Sequence, residues 1–244
     1  MTTLPHILLL AGSFEARQVA EALCAAGIAY TPVVSELPRG GQPLPKPPQL
    51  RAFDGAQGLG AFVQETGLTA ILDASHVFDR TLTQQAFGAA RRLNMPYLRL
   101  ERPAWDDAQC TFVPDVRTAC AAMTAGARAF CATGWESLPD MARFTGDRIF
   151  LRQTRRHDRA APYPFVSLSF GDPPFDVAHE RALFARLRIT HLVCRNLGGR
   201  ASRPKLDAAL AMGLAPILID RPSPPAGLPT VSQVAQAAAW AAAL

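Results

Sequence analysis

Short apolar runs alternate with stretches of helical period along nearly the whole chain, and that alternation most narrows the folds open to it. The first half reads "HILLLAG", a helix closing at Gly27, "AYTPVVS", the helix-like "GLGAFVQETG", "TAILDAS", a helix around "TQQAFGAARRLN", and "PYLRL". Strands this apolar are buried on both faces, and strand–helix alternation puts them in a parallel sheet covered by helices. Gly27 and Asn94 stand where helices stop, residue types that accept a left-handed backbone.

The rhythm breaks over "ERPAWDDAQCTFVP", residues 101–114, and then restarts with "DVRTACAAMTAG", "ARAFCATG", a helix at "ESLPDMARF", "RIFLRQT", "YPFVSLSF", "DVAHERALFARLR", "THLVCRN", "PKLDAALAMG" and "APILIDRP". The expected fold class is α/β, with two Rossmann-like, doubly wound parallel-sheet domains and an interdomain cleft. Residues 1–100 form the first domain and 111–220 the second. A length of 244 residues suits two domains of the usual size, roughly 100 to 150 residues each. "PRGGQPLPKPPQL" is too rich in proline for a helix or a central strand and reads as a loop. "RPSPPAGLPT" reads as a semi-rigid connector, and the helix within 230–244 is expected to pack back on the first domain.

Hydrophobic residues make up 49% of the chain and charged residues 18%, which describes a folded globular protein rather than a disordered one. Lys and Arg number 25 against 20 Asp and Glu, and only Lys46 and Lys205 are lysines. Arginine favours forked recognition of carboxylate and phosphate over a diffuse cationic coat. The arginines are scattered with no aromatic ladder between them, which argues against nucleic acid. Five cysteines without a CxxC pair, and histidines that do not cluster, suggest neither a disulfide framework nor a metal site. No apolar stretch is long enough to span a bilayer, and a cytoplasmic protein with reduced thiols is expected.

In open parallel sheets the ligand lies beyond the carboxyl ends of the strands. After the first strand, in "AGSFEAR", Gly12 allows a sharp exit, Ser13 offers a hydroxyl and Arg17 a charge to an anion at the helix start. The helix dipole favours such an anion by about 0.3–1 kcal/mol. One glycine does not meet the GxGxxG pattern, Glu15 would repel a pyrophosphate, and Ser13 as the cap of a core helix explains the residues equally well. After the second strand, Ser35 and Arg39 suit a 2′-phosphate, hence NADPH over NADH, with Glu36 a competing acid and a plain Gly-Pro loop the alternative. After the third, His76 stands among Asp73, Ser75 and Asp79. In the second half, Asn196, Gly198 and Gly199 precede Arg200, Arg203 and Lys205, Thr133 and Gly134 close a strand, and Arg148, Arg152, Arg155 and Arg156 surround another.

The stretches "ILLLAGSFEARQVAEAL", "ILDASHVFD", "NMPYLRLERPAW", "TG" at Thr133–Gly134 and "NLGG" at Asn196–Gly199 occur in order along nearly the whole chain. Together they resemble the precorrin-6A reductase family of cobalamin biosynthesis. Ser75, Val77 and Leu197 depart from the threonine, proline and serine usual there. The resemblance implies hydride transfer from NADPH that takes precorrin-6A to precorrin-6B, in the metal-free branch rather than on cobalt-precorrin-6A. It implies that Gly12, Ser13 and Arg17 cradle the coenzyme phosphates and that Ser35 and Arg39 read the 2′-phosphate. His76, as catalytic residue, with Ser75, Thr133, Gly134 and Asn196 to Gly199 would border the nicotinamide and macrocycle. Arg152, Arg200, Arg203 and Lys205 would receive the carboxylate arms of this polycarboxylate substrate, with no metal and with neighbouring pathway enzymes as partners. Rival readings are an NADP-sensing two-domain protein, a small-anion binder and a short-chain reductase. The last needs a YxxxK pair that Tyr30, Tyr97 and Tyr163 do not provide.

Overall fold

A computed structural model describes residues 5–36 and 42–244, so Arg39 lies outside the described residues. The chain forms two compact units. One takes in the described residues up to 36, Gln42–Pro103 and Ser223–Leu244, and the other Ala104–Pro222.

The first unit runs β1 (His6–Ala11), α1 (Phe14–Ala25), β2 (Ala29–Val34), β3 (Gln49–Leu50), α2 (Gly55–Glu65), β4 (Ala70–Ala74), α3 (Arg80–Arg92) and β5 (Tyr97–Leu100). The second runs β6 (Thr111–Val113), α4 (Val116–Ala122), β7 (Arg128–Ala132), a 3-10 helix (Trp135–Met141), β8 (Arg148–Gln153), β9 (Val166–Phe170), α5 (Val177–Leu187), β10 (His191–Arg195), α6 (Pro204–Ala211) and β11 (Ala215–Ile219). The chain then returns to the first unit as β12 (Thr230–Val231) and α7 (Val234–Ala242). All strand pairs are parallel, in the orders β12-β5-β4-β1-β2-β3 and β6-β11-β10-β7-β8-β9. Two parallel-stranded α/β sheets are thus present, as the alternation of apolar runs and helices requires.

The edge strands are exchanged. β6 follows β5 in the chain yet pairs with β11 of the second sheet, and β12 follows β11 yet pairs with β5 of the first. Neither strand is legible in the sequence: they hold three and two residues, and lie in the stretches that read as an interruption and a connector. β3 is likewise a two-residue edge strand at the end of the proline-rich loop, the one place in a sheet where such a segment fits.

Alternation along β1 divides the first core. Ile7 and Leu9 pack with Ala16, Val19 and Leu23 of α1 and with Ala237 and Ala241 of α7. Leu8 and Leu10 face α2 and α3 through Leu59, Phe62, Val63, Leu82 and Ala86. Burying each such leucine or isoleucine contributes about 1.5–3 kcal/mol. In the second unit Phe130, Leu192, Cys194 and Leu218 pack on Leu183, Phe184 and Leu206. The Phe130 and Phe184 rings are 5.0 Å apart. The helix expected at "ESLPDMARF" is a 3-10 turn containing Pro139, whose missing N–H and bulky ring do not suit an α-helix interior. Helix starts are set by side-chain caps: Ser13, Asp79, Asp115 and Asp176 accept from Ala16, Leu82, Thr118 and His179.

Candidate active site

The turn after β1 meets the turn after β4. Gly12 is exposed, and a Cβ there would lie 2.8 Å from the backbone nitrogen of His76 and 3.4 Å from Ser75. Gly12 is therefore needed for close approach of two backbones. Ser13 Oγ accepts the Ala16 N–H at 3.1 Å, a bond that uses an oxygen lone pair and leaves the hydroxyl hydrogen to donate. Glu15, an awkward charge for an anion site, is paired with Arg102 in a part-buried bridge, so its repulsion is neutralised. Arg17 Nη2 binds Glu21 at 2.6 Å one turn along α1, and its Nε is buried with no hydrogen-bond partner among the described residues. A helix start with an available hydroxyl, a neutralised acid and no side chain at Gly12 fits a pyrophosphate.

Ser35, at the end of β2, donates to Asp79 Oδ2 at 2.6 Å, and Asp79 Oδ1 caps α3 by accepting the Leu82 N–H. His76 Nδ1 accepts the Phe78 N–H at 3.2 Å, and the His76 carbonyl accepts the Asp79 N–H at 2.8 Å. With Nδ1 as acceptor, the neutral imidazole carries its proton on Nε2.

Behind this turn lies a polar network that sequence reading did not single out beyond Asp73 and Ser75. Arg99 of β5, fully buried, donates from Nη1 to Asp73 Oδ1 at 2.6 Å and to Ser75 Oγ at 2.7 Å. Tyr97 donates to Asp73 Oδ2 at 2.8 Å, and the Ser75 N–H to Asp73 Oδ1 at 3.0 Å. Arg99 Nε reaches Glu101 at 3.2 Å, and Arg80 grips Glu101 with both terminal nitrogens at 2.9 and 3.1 Å. Burial alone would raise the Asp73 carboxyl, but the charge of Arg99 and the bonds from Ser75 and Tyr97 hold it below the usual carboxylate value. Burial, with Asp73 alongside, pushes the Tyr97 phenol up. The signal available in the sequence was a lone arginine inside the apolar "YLRL".

In the second unit Thr133 and Gly134 follow β7, Arg152 lies near the end of β8, Asn196 follows β10, and Arg203 and Lys205 lie at the start of α6. Thr133 is buried and within 2.6 Å of the Ser137 hydroxyl, and Gly134 takes φ +88°, a conformation that excludes most side chains. Asn196 faces Trp105: its Oδ1 accepts the Trp105 N–H and its Nδ2 donates to the Trp105 carbonyl, both at 2.8 Å. Trp105 Nε1 donates to the Gly199 carbonyl at 3.1 Å, and Arg221 donates to the carbonyls of Asn196 and Leu197. The Asn196–Gly199 loop is thus shaped by Trp105 and Arg221.

Two of the four expected carboxylate receptors, Arg152 and Arg203, hold acids of their own. Arg152, between the Phe130 and Phe175 rings at 4.7 and 4.0 Å, donates to Glu180 at 2.8 Å. Arg203 binds Asp107 with two nitrogens, at 2.9 and 2.7 Å, and Asp207 at 2.7 Å. Lys205 Nζ donates to the Ser202 carbonyl and stands 5.9 Å from the Trp105 ring, its pKa held below the usual lysine value chiefly by burial. Arg200 is exposed. Arg148 begins β8, at the opposite edge from the other arginines, and donates to Ser167. Among the described residues no cluster of His, Cys, Asp and Glu could hold a metal, and no helix is long and apolar enough to cross a membrane. A groove of about 230 Å³ between α2 and α3, lined by Gln57, Gly60, Gln64 and Arg92 among others, contains none of the expected site residues.

Comparison with known proteins agrees from end to end. The sequence model of the "Precorrin-6x reductase CbiJ/CobK" family matches residues 6–242. The precorrin-6A reductase of Mycobacterium tuberculosis is 34% identical, with 98% of each chain covered. That of Rhodobacter capsulatus is 33% identical over 91% of this chain and 90% of its own. A solved structure titled "CobK precorrin-6A reductase" superposes with a TM-score of 0.88 at 30% identity, covering 98% of this chain and 97% of that one. With its parallel sheets, its glycine-opened first turn and these matches, the chain belongs to the precorrin-6x reductase (CbiJ/CobK) family.

Proposed function

We propose that this chain is an oxidoreductase of cobalamin biosynthesis that reduces precorrin-6A to precorrin-6B with NADPH. In a chain of this family, the observation that carries the reading is the turn after β1, where exposed Gly12 and capping Ser13 open a helix whose acid, Glu15, is neutralised by Arg102. NADPH, when bound, supplies the hydride. Gly12, Ser13 and the first amides of α1 hold its pyrophosphate, and Arg17 adds a charge by turning from Glu21. Ser35 and Arg39 take the 2′-phosphate, the Ser35 hydroxyl leaving Asp79 to do so. Ser75 and His76 border the nicotinamide, with the imidazole offering the Nε2 proton as donor.

In the second unit Thr133, Gly134, Gly198 and Gly199 let backbone approach the ligand, while Asn196 acts through Trp105. Arg200 and Lys205, with Arg152 and Arg203 exchanging protein acids for ligand ones, receive the carboxylate arms. Hydride transfer requires reacting atoms held about 3–3.5 Å apart with water excluded. The likeness to enzymes named for precorrin-6A favours the metal-free macrocycle over its cobalt form. Five cysteines without a disulfide among the described residues suit a reducing, cytoplasmic setting.

The test mixes the protein with NADPH and either precorrin-6A or cobalt-precorrin-6A and follows the coenzyme's near-ultraviolet absorbance and the product's mass. Loss of absorbance with formation of precorrin-6B is expected. Persistence of the signal with both macrocycles would leave an NADP-sensing protein as the better reading.

A further inference from the structure

We propose that Arg99 is a positioning residue for the reduction, holding both ends of the turn that carries His76. The inference rests on the reading of His76 as a residue bordering the nicotinamide. β4 ends at Ala74 and α3 begins at Arg80, so the turn between them starts at Ser75 and delivers His76 against Gly12. At its start, Ser75 is held through its hydroxyl by Arg99 Nη1 and through its amide by Asp73, itself bound by Arg99. At its end, Arg80 is gripped by Glu101, which accepts from Arg99 Nε. One guanidinium therefore reaches both ends of the turn: directly at Ser75, and through one carboxylate at Arg80.

Stability alone does not account for this arrangement. Replacing a buried ion pair by apolar residues of similar volume is often neutral or stabilising, because desolvation offsets the attraction. A leucine at position 99 would continue the apolar β5 strand. Arg99 is fully buried, and its second terminal nitrogen has no hydrogen-bond partner among the described residues, which adds to the cost of burying the charge. Directional bonds at both ends of a turn supply what an apolar side chain cannot, a fixed backbone position. That position decides where His76 stands relative to Gly12, whose missing Cβ leaves just enough room for the His76 nitrogen.

The test is a double-mutant cycle on the full chain, with precorrin-6A and NADPH. Arg99→Lys keeps the charge but loses the fork, since one ammonium does not span Ser75 and Glu101. It is expected to lower kcat between about tenfold and a hundredfold, the scale of a small misplacement of a reacting group. In the His76→Ala background the same substitution should change kcat by less than about twofold, the margin within which uncoupled effects add. Glu101→Gln, which leaves the Asp73–Arg99 pair in place, keeps the test open if Arg99→Lys does not fold. It should lower kcat in the parent and not in His76→Ala. Equal losses in both backgrounds, no loss for either variant, or an unimpaired His76→Ala enzyme would overturn the inference. Failure of the unsubstituted chain to oxidise NADPH with precorrin-6A would instead strike the proposed function.

Discussion

The backbone nitrogen of His76 lies 2.8 Å from the point where a side chain on Gly12 would begin. Because the obstructing atom is backbone, Gly12→Ala forces one of the two turns to move, at an expected cost of about 1–3 kcal/mol. The Gly12 turn is the one proposed to hold the coenzyme phosphates, and the His76 turn the one proposed to border the nicotinamide, so a shift of either should disturb the coenzyme. NADPH affinity, read by fluorescence titration, should fall about tenfold, which corresponds to roughly 1.4 kcal/mol. Unchanged affinity would separate this contact from coenzyme binding.

The two nitrogens of His76 have different surroundings, which gives its substitutions an order. Nδ1 accepts from Phe78 and helps fold the turn, while Nε2 carries the donor. His76→Gln places an amide donor near the Nε2 position, and His76→Asn restores only the Nδ1 side. Turnover should therefore fall least for Gln, with Asn and Ala lower and NADPH affinity near normal in all three. Equal rates across the series and the parent would make His76 a turn residue only.

The parts of the fold legible in the sequence are those fixed by local pattern. Apart from His6 and Asp73, β1 and β4 are apolar because helices cover both faces of the sheet, so their residues announce a parallel strand. β6 and β12 are too short to show a period, and what places them is pairing with strands of the other half of the chain. The site divides in the same way. Ser13 as a helix cap is a local property, and Arg17–Glu21 and Arg203–Asp207 are one-turn spacings open to sequence reading. Glu15–Arg102 and Asp73–Arg99 join residues 87 and 26 positions apart, and Asn196–Trp105 joins residues 91 apart. Nothing in the spacing of such pairs reports their contact, so Glu15 reads as an obstacle and Asn196 as a ligand contact.

Arg39→Ala should weaken NADPH far more than NADH, since only NADPH carries the 2′-phosphate. Hydrogen bonds to charged groups contribute about 1.5–3 kcal/mol, so the expected loss for NADPH is tenfold or more. Ser35→Ala should show the same preference at smaller size, because in the free protein the hydroxyl already bonds Asp79. Titration of each variant with both coenzymes checks this, and equal losses for the two would remove these residues from the phosphate pocket.

Arg152 and Glu180 are both buried, and their bond lies against Phe130 and Phe175. Glu180→Gln leaves the guanidinium without its counter-charge, and breaking such a pair costs about 3–5 kcal/mol. Arg152→Met with Glu180→Leu removes both charges and should recover most of that stability in denaturant unfolding. If Arg152 also receives a carboxylate arm, the double variant regains stability yet keeps a raised KM for precorrin-6A. A normal KM in that variant would confine Arg152 to a structural role.

Lys205 makes the stability of the second unit depend on pH. Burial, aided by Arg152 and opposed by Cys194 and Glu180, holds its pKa below the usual value of 10.5. For a base whose folded pKa is depressed, the unfolded chain binds more protons between the folded value and the unfolded one. Stability therefore rises with pH across that window, and below it the charged ammonium carries its full desolvation penalty. Lys205→Met removes the penalty, so the variant should be the more stable protein at neutral pH, and its advantage should shrink as pH rises toward about 10. Denaturant melts of both proteins across that range measure the difference directly, and an advantage that does not vary with pH would show that the ammonium is not desolvated in the folded chain. A raised KM for precorrin-6A in the stabilised variant would tie the same ammonium to a carboxylate arm.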